Sequence, residues 1–110
     1  MSPSDQQACR QYVQAVLDRY RQTPGVLGRV RRADRQLAQR LYQDRVPFYV
    51  IDRACVLAAA RRIKNNAFST HLPPIRSLHY FRPVIQEVIQ RPPGPRDIEE
   101  MRRLLGQGPL

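Results

Sequence analysis

Nucleophilic catalysis needs a thiol or hydroxyl beside a base, with a third group to orient that base. The cysteines and histidines that could take part here are Cys9, Cys55, His71 and His79. They stand far apart, and none belongs to a recognisable nucleophile motif. His71 falls in the Pro-flanked stretch "THLPP" and His79 at the edge of a helical stripe, so both read as structural or surface residues. A metal site built from such residues uses close ligand pairs, Cys-x₂-Cys or His-x₃-His, and these four lack that spacing. Gly25 and Gly28 do not form a phosphate-cradling loop. The nine acids are too scattered for a two-metal nuclease centre. The expectation is a protein with no catalytic residues, no metal and no cofactor.

Charge carries the strongest chemical signal. The stretch "GRVRRADRQLAQRLY", residues 28–42, sets Arg29, Arg31, Arg32, Arg35 and Arg40 against a single acid, Asp34. A second group is Arg61, Arg62 and Lys64, followed by Asn65 and Asn66. A third is Arg76 and Arg82, near Ser69, Thr70, His71 and Ser77. Arginine makes planar, bidentate contacts with phosphate, and the accompanying amides and hydroxyls complete the usual set of phosphate partners. The 110-residue chain has a net charge of +10, and Lys64 is its only lysine. A GC-rich coding bias accounts for arginine in place of lysine, but not for ten excess positive charges. Such an excess points to a polyanionic partner. The competing account is a set of ordinary solvated faces, with Arg61, Arg62 and Lys64 placed to suit a helix C-terminus. Asp34 is the one acid between Arg29 and Gln43, so i, i+4 neutralisation is scarce there. Nucleic acid is the favoured partner, DNA before RNA, with Arg29, Arg31, Arg32, Arg35, Arg40, Arg61, Arg62, Lys64 and Arg76 as the contacting residues.

Helices must position these side chains. Ser4 is the expected N-cap of a first helix, with Gln7 completing a capping box and Cys9, Val13, Val16, Leu17 and Tyr20 on one face. Turn residues 23–28 end it. A second helix is predicted over residues 30–44, with Val30, Ala33, Leu37, Ala38 and Leu41 inward. Arg31, Arg35 and Tyr42 then share one flank, Arg29 and Arg40 the other, and Arg32 points away from the core. Pro47 suits the first position of a third helix. Residues 48–60 of that helix are apolar almost all round, which marks a buried element. After a loop over residues 65–74, Leu78, Phe81, Ile85, Val88 and Ile89 restart helical periodicity, and Pro83 kinks or breaks that helix. "RPPGPR", residues 91–96, is a stiff connector. The last helix carries Asp97, Glu99 and Glu100 at its start and Arg102 and Arg103 at its end, with Gly106 as a stop. The fold class is all-α: a compact bundle of about five helices around a central apolar helix at 47–64. Residues 1–91 form the domain, and 92–110 a Pro-rich connector plus a C-terminal amphipathic helix.

A turn, "DRVP", joins the second and third helices, yet the third exposes almost no polar residue to read base edges. That argues against a sequence-reading helix-turn-helix. The stretch "LAQRLYQDRVPFYVIDRACVLAAARR", a loop, and "IRSLHYFRPVIQEVI" resemble the small helical C-terminal module of DnaD/DnaB-like replication proteins. The chain also resembles small Arg-rich proteins of bacterial mobile elements. The match runs over residues 37–89; the family's terminal Trp is absent and Pro83 interrupts the helix. The resemblance implies DNA binding during replication loading or mobile-element maintenance. It also implies contacts after the last helix of the module, with Arg91, Arg96, Arg102 and Arg103 as candidates. The alternative from a different class is a helical adaptor whose C-terminal helix docks in a protein groove or pairs with a second copy. Membrane-surface binding is not expected, because the basic faces lack adjacent aromatic anchors, and no apolar run is long enough to span a bilayer. The N-terminal residues resemble neither a secretory nor a mitochondrial presequence, so a cytoplasmic protein is expected. There Cys9 and Cys55 are two small core residues rather than a disulfide.

Overall fold

An oxygen that accepts from the free N–H groups of a first turn starts a helix, and in the computed structural model of this chain Ser2 supplies it. Its hydroxyl accepts from the Asp5 N–H at 3.2 Å, and Pro3 occupies the first turn, where a missing N–H costs nothing. Ser2, not Ser4, is therefore the N-cap of α1, Pro3–Gln22. The model describes residues 2–66 and 72–106, the side chains of 65 and 66 excepted. The inward face of α1 is Val13, Val16, Leu17 and Tyr20, as the periodicity predicts, with Cys9 only half buried.

α2 spans Arg32–Gln43, starting two residues later than expected. It ends in a Schellman motif: the Val46 N–H donates to the Leu41 carbonyl and the Arg45 N–H to that of Tyr42, both at 3.0 Å. The motif needs a left-handed residue, and Arg45 takes that place at φ 59° where glycine is usual. Pro47 stands just before α3, Phe48–Asn66, and its carbonyl accepts from Val50. Residues 54–60 of α3 are all buried. The first turn departs from the sequence reading: Phe48 is 40% and Tyr49 54% exposed.

Pro83 breaks the following periodic stretch rather than kinking one helix. A 3₁₀ turn, Leu78–Phe81, runs into α4, Arg82–Gln90, so that Pro83 falls in a first turn where it is tolerated. α5, Pro95–Leu104, is capped at Gly94, whose N–H donates to Asp97. A single parallel bridge, Val26 with Ile75, is the one β-type pairing among the described residues.

α3 is the centre: α1, α4, α5 and the 3₁₀ turn all pack on it. α5 lies on α3 through Ile98 and Met101, and Arg102 pairs with Asp52. α2 lies further out, packed on α1 and the 3₁₀ turn. It buries Leu37, Ala38 and Leu41 and leaves most of its circumference to solvent. The architecture is an all-α bundle around an apolar helix.

Candidate nucleic-acid interface

The acid within the arginine stretch does not neutralise it. Asp34 is 1% exposed and turned into the molecule. One carboxylate oxygen accepts from the Arg31 N–H at 2.8 Å, closing the first turn of α2. The other accepts from the Leu78 N–H at 2.9 Å and, at 3.4 Å, from the Ser77 hydroxyl. With Asp34 turned inward, Arg29, Arg31, Arg32 and Arg35 stand exposed, and none is within ion-pair reach of an acid among the described residues. Arg40, on the far flank, is a long 3.4 Å from Asp44, both largely exposed. Such a pair contributes little and competes poorly with a phosphate.

Asp34 also joins two groups that the sequence separates. By holding Ser77 and Leu78 it brings the exposed Arg76 to the N-terminal end of α2. Beyond this junction, α2 and α4 leave a groove of about 440 Å³ between them. Leu37, Leu41 and Ile85 line its floor, and Arg40, Arg82, His79 and Gln36 supply polar groups, with Asp44 as the acid. Positive side chains thus run from Arg29 along α2 and across to the start of α4.

The second predicted group is used differently. Arg61 makes a two-pronged ion pair with Glu87 of α4. That contact holds the Glu87 carboxyl below its ordinary range and the guanidinium above its own. Arg62 donates to the Pro73 carbonyl at 2.8 Å, stacks 5.9 Å from the Tyr80 ring centroid, and lies against Gly25. Gly25 has a φ of +94°, and a Cβ there would meet this guanidinium at 2.9 Å. Lys64 borders a shallow cleft with Asp97 and Glu100 of α5, acidic rather than basic surroundings. Arg61 and Arg62 therefore fasten loops and helices, and Lys64 stands apart from the α2 face. Asn65 and Asn66 side chains, and Ser69, Thr70 and His71, lie outside the described residues. Of the four arginines implied by the family resemblance, Arg102 is spent on Asp52, while Arg91, Arg96 and Arg103 are exposed.

Two features escaped the sequence reading. Asp34 stood out only as the lone acid among arginines, although it falls four and seven residues before Ala38 and Leu41, on the inward face. The exposed Phe48 and Tyr49, with Arg53 stacked 4.9 Å over the Tyr49 ring, were hidden within an apolar run. Among the described residues no three His, Cys, Asp or Glu side chains gather where one ion could be held, and no helix is long and apolar enough to cross a membrane. Cys55 is buried and its thiol is pushed up to about 11, chiefly by that burial. No family model, no curated protein and no solved structure matches the chain.

Proposed function

We propose that this is a non-enzymatic nucleic-acid-binding protein that lies on the phosphate backbone, DNA before RNA, through the outer face of α2. One observation carries the reading: Arg29, Arg31, Arg32 and Arg35 are exposed and, among the described residues, without a carboxylate partner, because Asp34 is buried beneath them. Arg76 at the head of α2, and Arg40 and Arg82 beside the α2–α4 groove, extend the same surface. A face of guanidinium groups binds phosphate oxygens without regard to sequence, and α3, which follows α2 after a short turn, buries residues 54–60 instead of offering polar side chains to base edges. The replication or mobile-element setting is supported by the sequence resemblance alone.

The test is a salt titration of binding to labelled duplex DNA. With about four or five phosphate contacts, log affinity should fall against log salt with a slope of roughly −4. Replacing Arg31, Arg32 and Arg35 together with Gln should flatten the slope by about two to three units, equally for all sequences. The melting temperature should hardly move, since exposed charges contribute little to folding. An unchanged slope in the folded triple variant refutes the reading.

A further inference from the structure

The end of α2 remote from Asp34 presents a different surface. Beside the exposed ring of Phe48 lies a cleft of about 580 Å³, bordered by Tyr12, Tyr42, Pro47, Arg45 and Asp5. Its aromatic wall is fixed. The Tyr12 hydroxyl donates to the Val46 carbonyl at 2.7 Å, and the Tyr12 and Tyr42 rings meet at 5.4 Å, tilted by 59°. Burial raises the Tyr12 phenol to about 12, so it remains a neutral donor. Asp5 accepts from the Ser2 hydroxyl at 3.1 Å, and the first turn of α3 carries no acid.

Arg45 holds a left-handed backbone conformation that costs a non-glycine residue of order 1 kcal/mol or more. Glycine would close the same turn without that cost, so turn geometry alone does not explain an arginine at this position. Helical register puts Arg35 on the flank of α2 that carries Tyr42, about 10 Å back along the axis. A strand lying on the arginine face is thereby led to the cleft.

We propose that this cleft seats an unpaired base of a single-stranded nucleic acid, stacked against Phe48 and the tyrosine wall, with Arg45 meeting its phosphate. Stacking on a side chain needs a free base face, which a paired duplex interior does not offer. The guanidinium of Arg45 at the rim supplies the positive charge that partner needs, with Asp5 across the cleft already accepting from Ser2, and Arg53 adds a second positive charge beside Tyr49, the next exposed ring of α3. The inference rests on the nucleic-acid reading of α2 but on residues outside that face.

The experiment is fluorescence anisotropy with a labelled oligothymidylate and a blunt DNA duplex of equal length. The proteins are the full chain, Phe48→Ala, Arg45→Gly and the α2 triple variant. Phe48→Ala should lose about tenfold in single-strand affinity and leave duplex affinity unchanged. Arg45→Gly should weaken single-strand binding and lower its salt slope by about 0.7. Glycine suits the left-handed position, so this variant should melt no lower than the parent, which keeps the test independent of folding. Unchanged single-strand binding in both folded variants overturns the cleft, as does an equal loss for duplex in Phe48→Ala. If the triple variant still loses duplex affinity in that case, the α2 reading stands by itself. If it too is unaffected, both fall.

Discussion

A carboxylate 1% exposed must have its lone pairs occupied, and Asp34 fills them from the start of its own helix and from residues 43 and 44 positions further along the chain. It both caps α2 and stitches α2 to the 3₁₀ turn. Asp34→Ala would strand the Arg31 and Leu78 N–H groups, and urea unfolding should show a loss of about 3 kcal/mol. Asp34→Asn keeps one acceptor oxygen and should lose less. Its position was legible, since the register that turns Leu41 inward turns Asp34 inward as well. Its role was not, because its partners arrive from a segment whose approach no local pattern encodes. Arg45 was hidden for a related reason: a left-handed residue announces itself in sequence as glycine, and here it is an arginine.

Helical stripes at period 3.6 were enough to place the five α-helices found among the described residues, and Pro83 correctly marked an interruption. What the period leaves out is where a neighbour stops. α3 is apolar almost throughout residues 48–60, yet its first turn overhangs the partners that bury residues 54–60, leaving two aromatic rings in solvent. The same reasoning predicts where α3 is intolerant. Ala58 and Ala59 are 3% and 1% exposed. An aspartate at either position buries an unpaired charge and should cost several kcal/mol. Thermal melts followed by circular dichroism should show Ala59→Asp unfolded or melting far below the parent. An unaltered melt would remove α3 from the centre of the bundle.

For the molecule as a whole, charge is partitioned rather than spread. Four of the nine acids are tied into the fold: Asp34 to the α2 cap, Asp52 to Arg19 and Arg102, Glu87 to Arg61, Asp97 to the α5 cap. The positive excess is left outside, most densely on α2, which packs on α1 and the 3₁₀ turn rather than on α3. That is why the salt slope is predicted to respond to Arg31, Arg32 and Arg35. The sequence displayed three basic groups as equals, since spacing along the chain cannot tell which guanidinium groups find a carboxylate or carbonyl across the fold. Asp52 has a further consequence. Its carboxylate ties α1 to α5, taking one arginine from each, while α5 itself buries little beyond Ile98 and part of Met101. An element that buries so little apolar surface belongs to the low-stability end of a structure, where local opening precedes cooperative unfolding. Amide hydrogen exchange should therefore run faster in peptides covering residues 98–104 than in those of α3, and Asp52→Asn should widen the gap. Equal protection of the two would make α5 part of the same cooperative unit. If the gap is found, α5 is a helix that can leave its seat while the arginine face on α2 stays intact.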